Sequence, residues 1–387
     1  MKIYLDNAAT TPLDKEVFTE MEPFFFSAYG NPSSSHSQGR EARKAIDASR
    51  AKIAELLNTE PGRILFTSGG TEADNTAIRS AILSAGIRLA VTTPFEHHAV
   101  LNTLKDLERS GLIELVYLMH DPAGNISLKH LENILAFNQR AFVSVMHGNN
   151  EIGNLNDIEA IGSICRRYNA VFHSDTVQTM GHYHYDLPSL NVDFIVGSAH
   201  KFHGPKGVGF LYHAQDRVLD PLIKGGAQEN SRRAGTENVA GIVGLAKALE
   251  IAYRDLGQDK EHILALKRRM IARLKEGIPG LSFNGNSACL DDSLYTVLSV
   301  SLPALPALSS ALFYLDGQNI CVSGGSACTS GSTSGSHVLR ALGYNFDRTA
   351  IRFSFSKFNT AEEIDEASAK LSDLYYQSIS SGVRIAG

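Results

Sequence analysis

A lysine at the end of an apolar run is the residue whose setting first suggests chemistry. Lys201 follows Val192-Asp193-Phe194-Ile195-Val196-Gly197 and Ser198-Ala199-His200, and precedes Phe202-His203-Gly204-Pro205-Lys206-Gly207. The apolar run reads as a buried strand and the Gly/Pro stretch as a turn, so the amine emerges at a strand end. In open α/β sheets that end is where ligands bind. Lys201 is read as the anchor of a covalently bound cofactor, against the common alternative of a solvated surface charge. Asp175 closes a second apolar run, Ala170-Val171-Phe172-His173-Ser174-Asp175. Burying a carboxylate there is costly unless a cation or donor faces it, so Asp175 and Lys201 flank either one ligand cleft or an ordinary ion pair. Arg352, alone among the apolar residues of Ala350-Ile351-Arg352-Phe353-Ser354-Phe355, needs an anion: a bound carboxylate, or an internal Asp or Glu. Cys328 lies in a Gly/Ser/Thr-rich stretch running to Ser336 that cannot bury a core. A thiol there is exposed, and its reactivity matters more than its packing.

Other stretches carry weaker signals. Ser68-Gly69-Gly70-Thr71 joins a strand (Arg63 to Thr67) to a helix (Glu72 to Leu83); such a turn offers free N–H groups to a phosphate, or is a plain helix start. His97-His98 follows the strand Arg88 to Thr93. Adjacent histidines point in different directions and no third ligand is near in sequence, so a ring stacked on a flat cofactor, or a helix-start histidine, is preferred over a metal site. Asn149-Asn150 leaves the strand Ala141 to Met146 and fits a ligand contact or a helix cap. Arg232-Arg233 precedes a helix starting at Val239 and fits an anion contact or a partner surface.

The elements that must position these groups alternate, strand then helix, through the first two thirds of the 387 residues. That pattern predicts a mainly parallel sheet with helices on both faces. From about residue 255 the rhythm changes to a long charged helix, Glu261 to Glu276, and the strands Leu281 to Phe283 and Thr296 to Leu302. The last helix opens on Thr360-Ala361-Glu362-Glu363, a capping box, and carries Ile364, Ala367, Leu371 and Leu374 on one face. Residues 1–15 are read as an N-terminal arm that joins the smaller domain, 16–255 as a large domain, and 256–387 as a small domain with a mobile loop at about 323–336. A formal charge of -5, 43% hydrophobic and 20% charged residues describe a globular chain with no basic footprint for nucleic acid or a membrane surface. No apolar run suits a signal peptide or membrane span, and Cys165, Cys289, Cys321 and Cys328 lack zinc spacing, so free thiols in the cytoplasm are expected. Cys321, beside Ile320 on a short strand, is expected to be buried.

In their joint order these motifs resemble the cysteine desulfurases of the NifS/IscS type. The match runs through Tyr4 to Pro12, Gly30 to Ser34, Thr67 to Glu72, Glu96-His97, Asn149 to Gly153, His173 to Asp175 with Gln178, Ser198 to Lys201, Arg232 to Thr236, Gly325 to Cys328 and Ile351 to Ser354. The resemblance implies an α/β aspartate-aminotransferase-like fold (fold type I) and pyridoxal 5'-phosphate as cofactor. It makes Lys201 the covalent anchor and proton carrier, sets Asp175 at the ring nitrogen, His97 stacked on the ring and Gln178 at its phenolic oxygen. Gly70, Thr71, Ser198 and His200 would surround the phosphate, with Thr236 reaching in from the second subunit of a homodimer. Arg352 and Asn150 would hold the carboxylate of L-cysteine, and Cys328 would take the sulfur as a persulfide, leaving L-alanine. An iron-sulfur scaffold or another sulfur-acceptor protein is the implied partner. The motifs also admit a selenocysteine lyase, a cysteine-sulfinate desulfinase, or a non-catalytic sulfur-carrier scaffold.

Overall fold

A computed structural model describes residues 2–138, 140–214, 217, 219–324 and 335–383. Its centre is a seven-stranded sheet made of β2 (Ile64–Thr67), β3 (Leu89–Thr92), β4 (Glu114–Tyr117), β5 (Ala141–Ser144), β6 (Val171–Asp175), β7 (Phe194–Ser198) and β8 (Gly209–His213), in the order β2-β8-β7-β6-β5-β3-β4. Neighbours from β7 to β4 pair in parallel, and β8 runs antiparallel to both β7 and β2. The strands other than edge strand β4 are buried along nearly their whole length because both faces are covered. Period-two alternation sends Phe66, Val91, Val143, Phe172 and Ile195 to one face, against Ile53, Ile161 and Leu249. Leu65, Ala90, Phe142, Val171 and Val196 go to the other, against Ala77, Ile78, Val100 and Leu104.

The expected helices form with small shifts in their ends. The helix Ser37–Leu56 packs against the sheet, and the one expected after the glycine turn is Gly70–Ala85. The long charged helix begins earlier than expected, at Leu256, directly after Val239–Arg254, and runs to Gly277. Leu256-Gly257-Gln258 holds one weak breaker and no proline, so the charge pattern alone misplaced the start.

A second core lies on β10 (Val297–Leu302), flanked antiparallel by β9 (Ser282–Phe283) and β12 (Thr349–Ser354). The helices Leu256–Gly277 and Ala361–Val383 cover it, and Ile364, Ala367, Leu371 and Leu374 of the last helix are buried in it. The N-terminal strand β1 (Ile3–Tyr4) pairs with β11 (Ile320–Cys321), which places Ile3 and Leu5 in this same core. Cys321 is half-buried there rather than fully covered, because two-residue β11 pairs with β1 alone.

Candidate active site

The carboxyl ends of the parallel strands open on one cavity of about 290 Å³. The turn after β2 brings Gly70, Thr71 and Asp74; the exit of β3 brings His97 and His98; that of β5 brings Asn150 and Glu151. Asp175 ends β6, Ser198 ends β7, and His200 and Lys201 follow on the next turn. Arg352 enters from β12, His337 from the helix His337–Ala341, and Ala8 and Ala9 from the N-terminal arm. Parallel pairing of β6 with β7 is what sets Asp175 beside Lys201, as the shared-cleft expectation required.

Lys201 donates from Nζ to the carbonyls of Ala8 at 2.6 Å and Ala9 at 2.9 Å, so the arm orients the amine. Gln178 donates to the Ala8 carbonyl at 3.0 Å. His97 caps its helix: Nδ1 accepts the Ala99 N–H at 3.2 Å, leaving the hydrogen of the neutral ring on Nε2. Burial lowers the His97 pKa, with the Asp175 carboxylate opposing. Asp175 accepts the Val177 N–H at 2.9 Å, and burial raises its pKa while His97 and Lys201 pull it down.

Two further acids were not singled out as site residues by sequence reasoning. Asp74, one turn into its helix, is buried, its pKa pushed well up by burial and by Asp175 and Glu96, and its Oδ1 lies 3.3 Å from His173 Nε2 without completing a hydrogen bond. Glu96 is fully buried and pushed up to about 8, chiefly by burial, although Oε1 accepts the Met146 N–H and the Thr93 hydroxyl. The spacing of Asp74 from Thr71 was a signal, but only helical geometry turns it toward Asp175. Atoms of Asp74, His97 and Asp175 lie within 4.8 Å of one another, so packing gathers two buried acids beside the His97 ring. A buried cluster of acids facing a cavity suits a cationic or N–H-bearing ligand edge.

Arg352 resolves its two expected partners in an unexpected way. It is buried, donates from Nη2 to Asp6 at 2.7 Å and from Nη1 to the Asn150 carbonyl at 2.8 Å, yet its Nε finds no acceptor. An internal acid holds the guanidinium, and the Nε–H is left without an acceptor at a side chain that lines the cavity. Of the basic segment, Arg233 pairs with Glu72 at 2.9 Å and Arg232 donates to the Gly62 carbonyl, so both arginines serve internal contacts. Thr236 is exposed and does not line this chain's cavity. Cys328 lies outside the described residues. The described chain on either side of it is tied to the cavity wall: the Ser323 hydroxyl donates to Asp6 at 2.8 Å and the Ser336 hydroxyl to Glu151.

The aminotransferase class-V family model matches residues 3–367. The chain belongs to the aminotransferase class-V family. Within it, the chain is 42% identical over 376 residues to a cysteine desulfurase IscS of Vibrio vulnificus (strain YJ016), covering 95% of this chain and 91% of the relative. It is 40% identical over 368 residues to the cysteine desulfurase IscS of Dictyoglomus turgidum (strain DSM 6724 / Z-1310), covering 94% and 92%. A solved NifS-like protein superposes with a TM-score of 0.88 at 37% identity, covering 97% of this chain and 100% of that one. The fold is thus the aspartate-aminotransferase-like α/β arrangement of fold type I.

Class-V aminotransferases use pyridoxal phosphate, and the residues present fit it. The helix Gly70–Ala85 starts with no side-chain cap, so its first N–H groups face an adjoining cleft with Thr10, Ser198, His200 and Lys206, a setting for phosphate. A Cβ on residue 70 would stand 2.7 Å from Val177 Cγ2 and crowd that cradle. Asp74, Asp175 and Lys201 line the neighbouring cavity, which shares Gly70, Thr71, Ser198 and His200 with this cleft. Among the described residues no helix is long and apolar enough to cross a membrane.

Proposed function

We propose that this chain is a cysteine desulfurase that removes the sulfur of L-cysteine, releases L-alanine and stores the sulfur as a persulfide on Cys328. The observation that carries the reading is the convergence of the Lys201 amine, the Asp175 carboxylate and the Arg352 guanidinium on one cavity. Pyridoxal phosphate, when bound, supplies an electron sink for the substrate's α-carbon. Lys201 holds it covalently; Asp175 receives the ring nitrogen, His97 covers the ring face, and Gln178 reaches the phenolic oxygen. Gly70, Thr71, Ser198 and His200 hold the phosphate, and the exposed Thr236 completes that site in a second copy of a homodimer. Arg352 and Asn150 bind the substrate carboxylate. Lys201 would also be the group that moves the substrate's α-proton, a task suited to an amine in a desolvated site. Cys328 attacks the substrate sulfur from the Gly/Ser-rich stretch and hands it on to an acceptor protein, such as an iron-sulfur scaffold in the cytoplasm.

The test is alanine and sulfide formed from L-cysteine with a thiol reductant. Cys328→Ala is expected to abolish both while leaving the visible cofactor absorbance intact. Undiminished sulfide release by that variant would sink the mechanism.

A further inference from the structure

The cavity contains a pair of imidazoles that none of the roles above employs. His98 and His337 both line it, with ring centroids 4.4 Å apart. Neither lines the adjoining cleft at the start of the helix Gly70–Ala85, so the pair stands on the substrate side, with Arg352 and Glu151. His337 Nε2 lies 2.9 Å from the Glu96 carbonyl. A carbonyl only accepts, so Nε2 carries the hydrogen and, in the neutral ring, Nδ1 keeps a lone pair. That Nδ1 is buried without a partner, and so is His98 Nε2. Unsatisfied buried nitrogens at the wall of a ligand cavity call for a functional explanation. The other cavity histidines are committed: His97 spends Nδ1 on the Ala99 N–H, and His200 Nδ1 contacts the Thr10 hydroxyl at 3.1 Å.

We propose that His337, backed by His98, is the base that takes the proton of the attacking thiol. The inference rests on the cysteine desulfurase reading. The S–H bond breaks with its electron pair left on sulfur, and the proton forms an N–H bond at His337 Nδ1 while Nε2–H stays on the Glu96 carbonyl. The imidazolium later returns its proton to solvent. Lys201 is occupied with the α-proton, so a separate acceptor lets both protons be handled in one turnover. The ring must be neutral beforehand. Burial, then the positive charges of Lys105 and Arg340 and the His97 ring, lower the His337 pKa, with only the Glu96 carbonyl opposing. Around His98, burial, His337 and Lys105 act in the same direction against Glu151. Glu151 is itself pushed up by burial and accepts the Ser336 hydroxyl.

His337→Gln tests this in the cofactor-loaded enzyme, because the glutamine amide still donates to the Glu96 carbonyl but cannot take a proton. Alanine is measured from L-cysteine and from L-cysteine sulfinate, which has no S–H and needs no attacking thiol, between pH 6 and 9. With a thiol pKa of ~8.5, an unassisted thiol is only a few per cent ionised at pH 7, so L-cysteine turnover is expected to fall about 30-fold relative to sulfinate turnover. That deficit shrinks toward pH 9. Equal losses on both substrates, a deficit constant with pH, or full L-cysteine turnover would each overturn the proton-acceptor role. If the unsubstituted enzyme makes no alanine from L-cysteine, the desulfurase reading falls, and this proposal with it.

Discussion

At the residue scale the site depends on which groups are left with unmet bonding capacity. Lys201 donates to two carbonyls of the N-terminal arm, which hold its amine in place on the cavity wall. Lys201→Ala is therefore expected to leave no cofactor that borohydride can fix to the protein and no alanine formation, with the fold retained; intact-protein mass after reduction reads this directly. Lys201, Asp175 and Arg352 were legible because each interrupts or ends an apolar run, where a charge demands an explanation. Asp6 was not legible as the partner of Arg352. The two are 346 positions apart, and only the pairing of β1 with β11 and the Asp6 to Ser354 bridge bring them together. His337 had no local signal at all, since it follows a Gly/Ser-rich stretch and starts a short helix.

At the element scale, the turn proposed to cradle the phosphate is made by a close approach of two backbones. Gly69, at φ 153, adopts a backbone that side chains rarely tolerate, and a Cβ on Gly209 of β8 would stand 2.8 Å from its Cα and 2.5 Å from the Gly197 carbonyl. Neither contact can yield as a flexible side chain would. Gly209→Ala is expected to destabilise the protein by about 1–3 kcal/mol or more and to weaken cofactor retention, read as a lower denaturant midpoint and a lower absorbance per chain. Apolar runs revealed the strands, yet the antiparallel direction of β8 was not readable, because a strand buried on both faces has the same pattern in either direction.

At the scale of the whole molecule, buried titratable groups tie stability to pH. Burial holds His147 and His182 near about 4 and His173 near about 3, below the ordinary 6.5. Between pH 6.5 and 4 the unfolded chain binds protons that the folded one refuses, so stability falls as pH drops through that window. Glu96 acts in the opposite sense: raised from 4.5 to about 8, it contributes stability that is present below pH 4.5 and lost as pH rises through 8. Asp74, Glu151, Asp175 and Asp259 are raised by burial as Glu96 is. Among the described residues more histidines are lowered, His200 and His203 to about 4 and His97, His98, His213 and His337 also downward. The melting temperature is therefore expected to rise from pH 4 to 6.5; a flat profile would contradict the assignment. Lys267, buried in the second core against the Ser293 hydroxyl and the Leu294 carbonyl, is lowered from 10.5 to about 7 by burial. Its contribution to stability grows as pH rises from 7 to 10.5. Lys267→Met should remove that slope, measured as the difference between the two melting curves across this range.

The amino-acid sequence by itself determined the alternation of strands and helices and the chemistry-bearing residue types at the strand ends, because burial imprints its period on neighbouring positions. It also carried the ordered motifs that mark the family. Tertiary structure alone decided which groups share the cavity. Asp74 with Asp175, Asp6 with Arg352, and His98 with His337 are joined by packing between distant segments, and distance along the chain holds no record of such contacts.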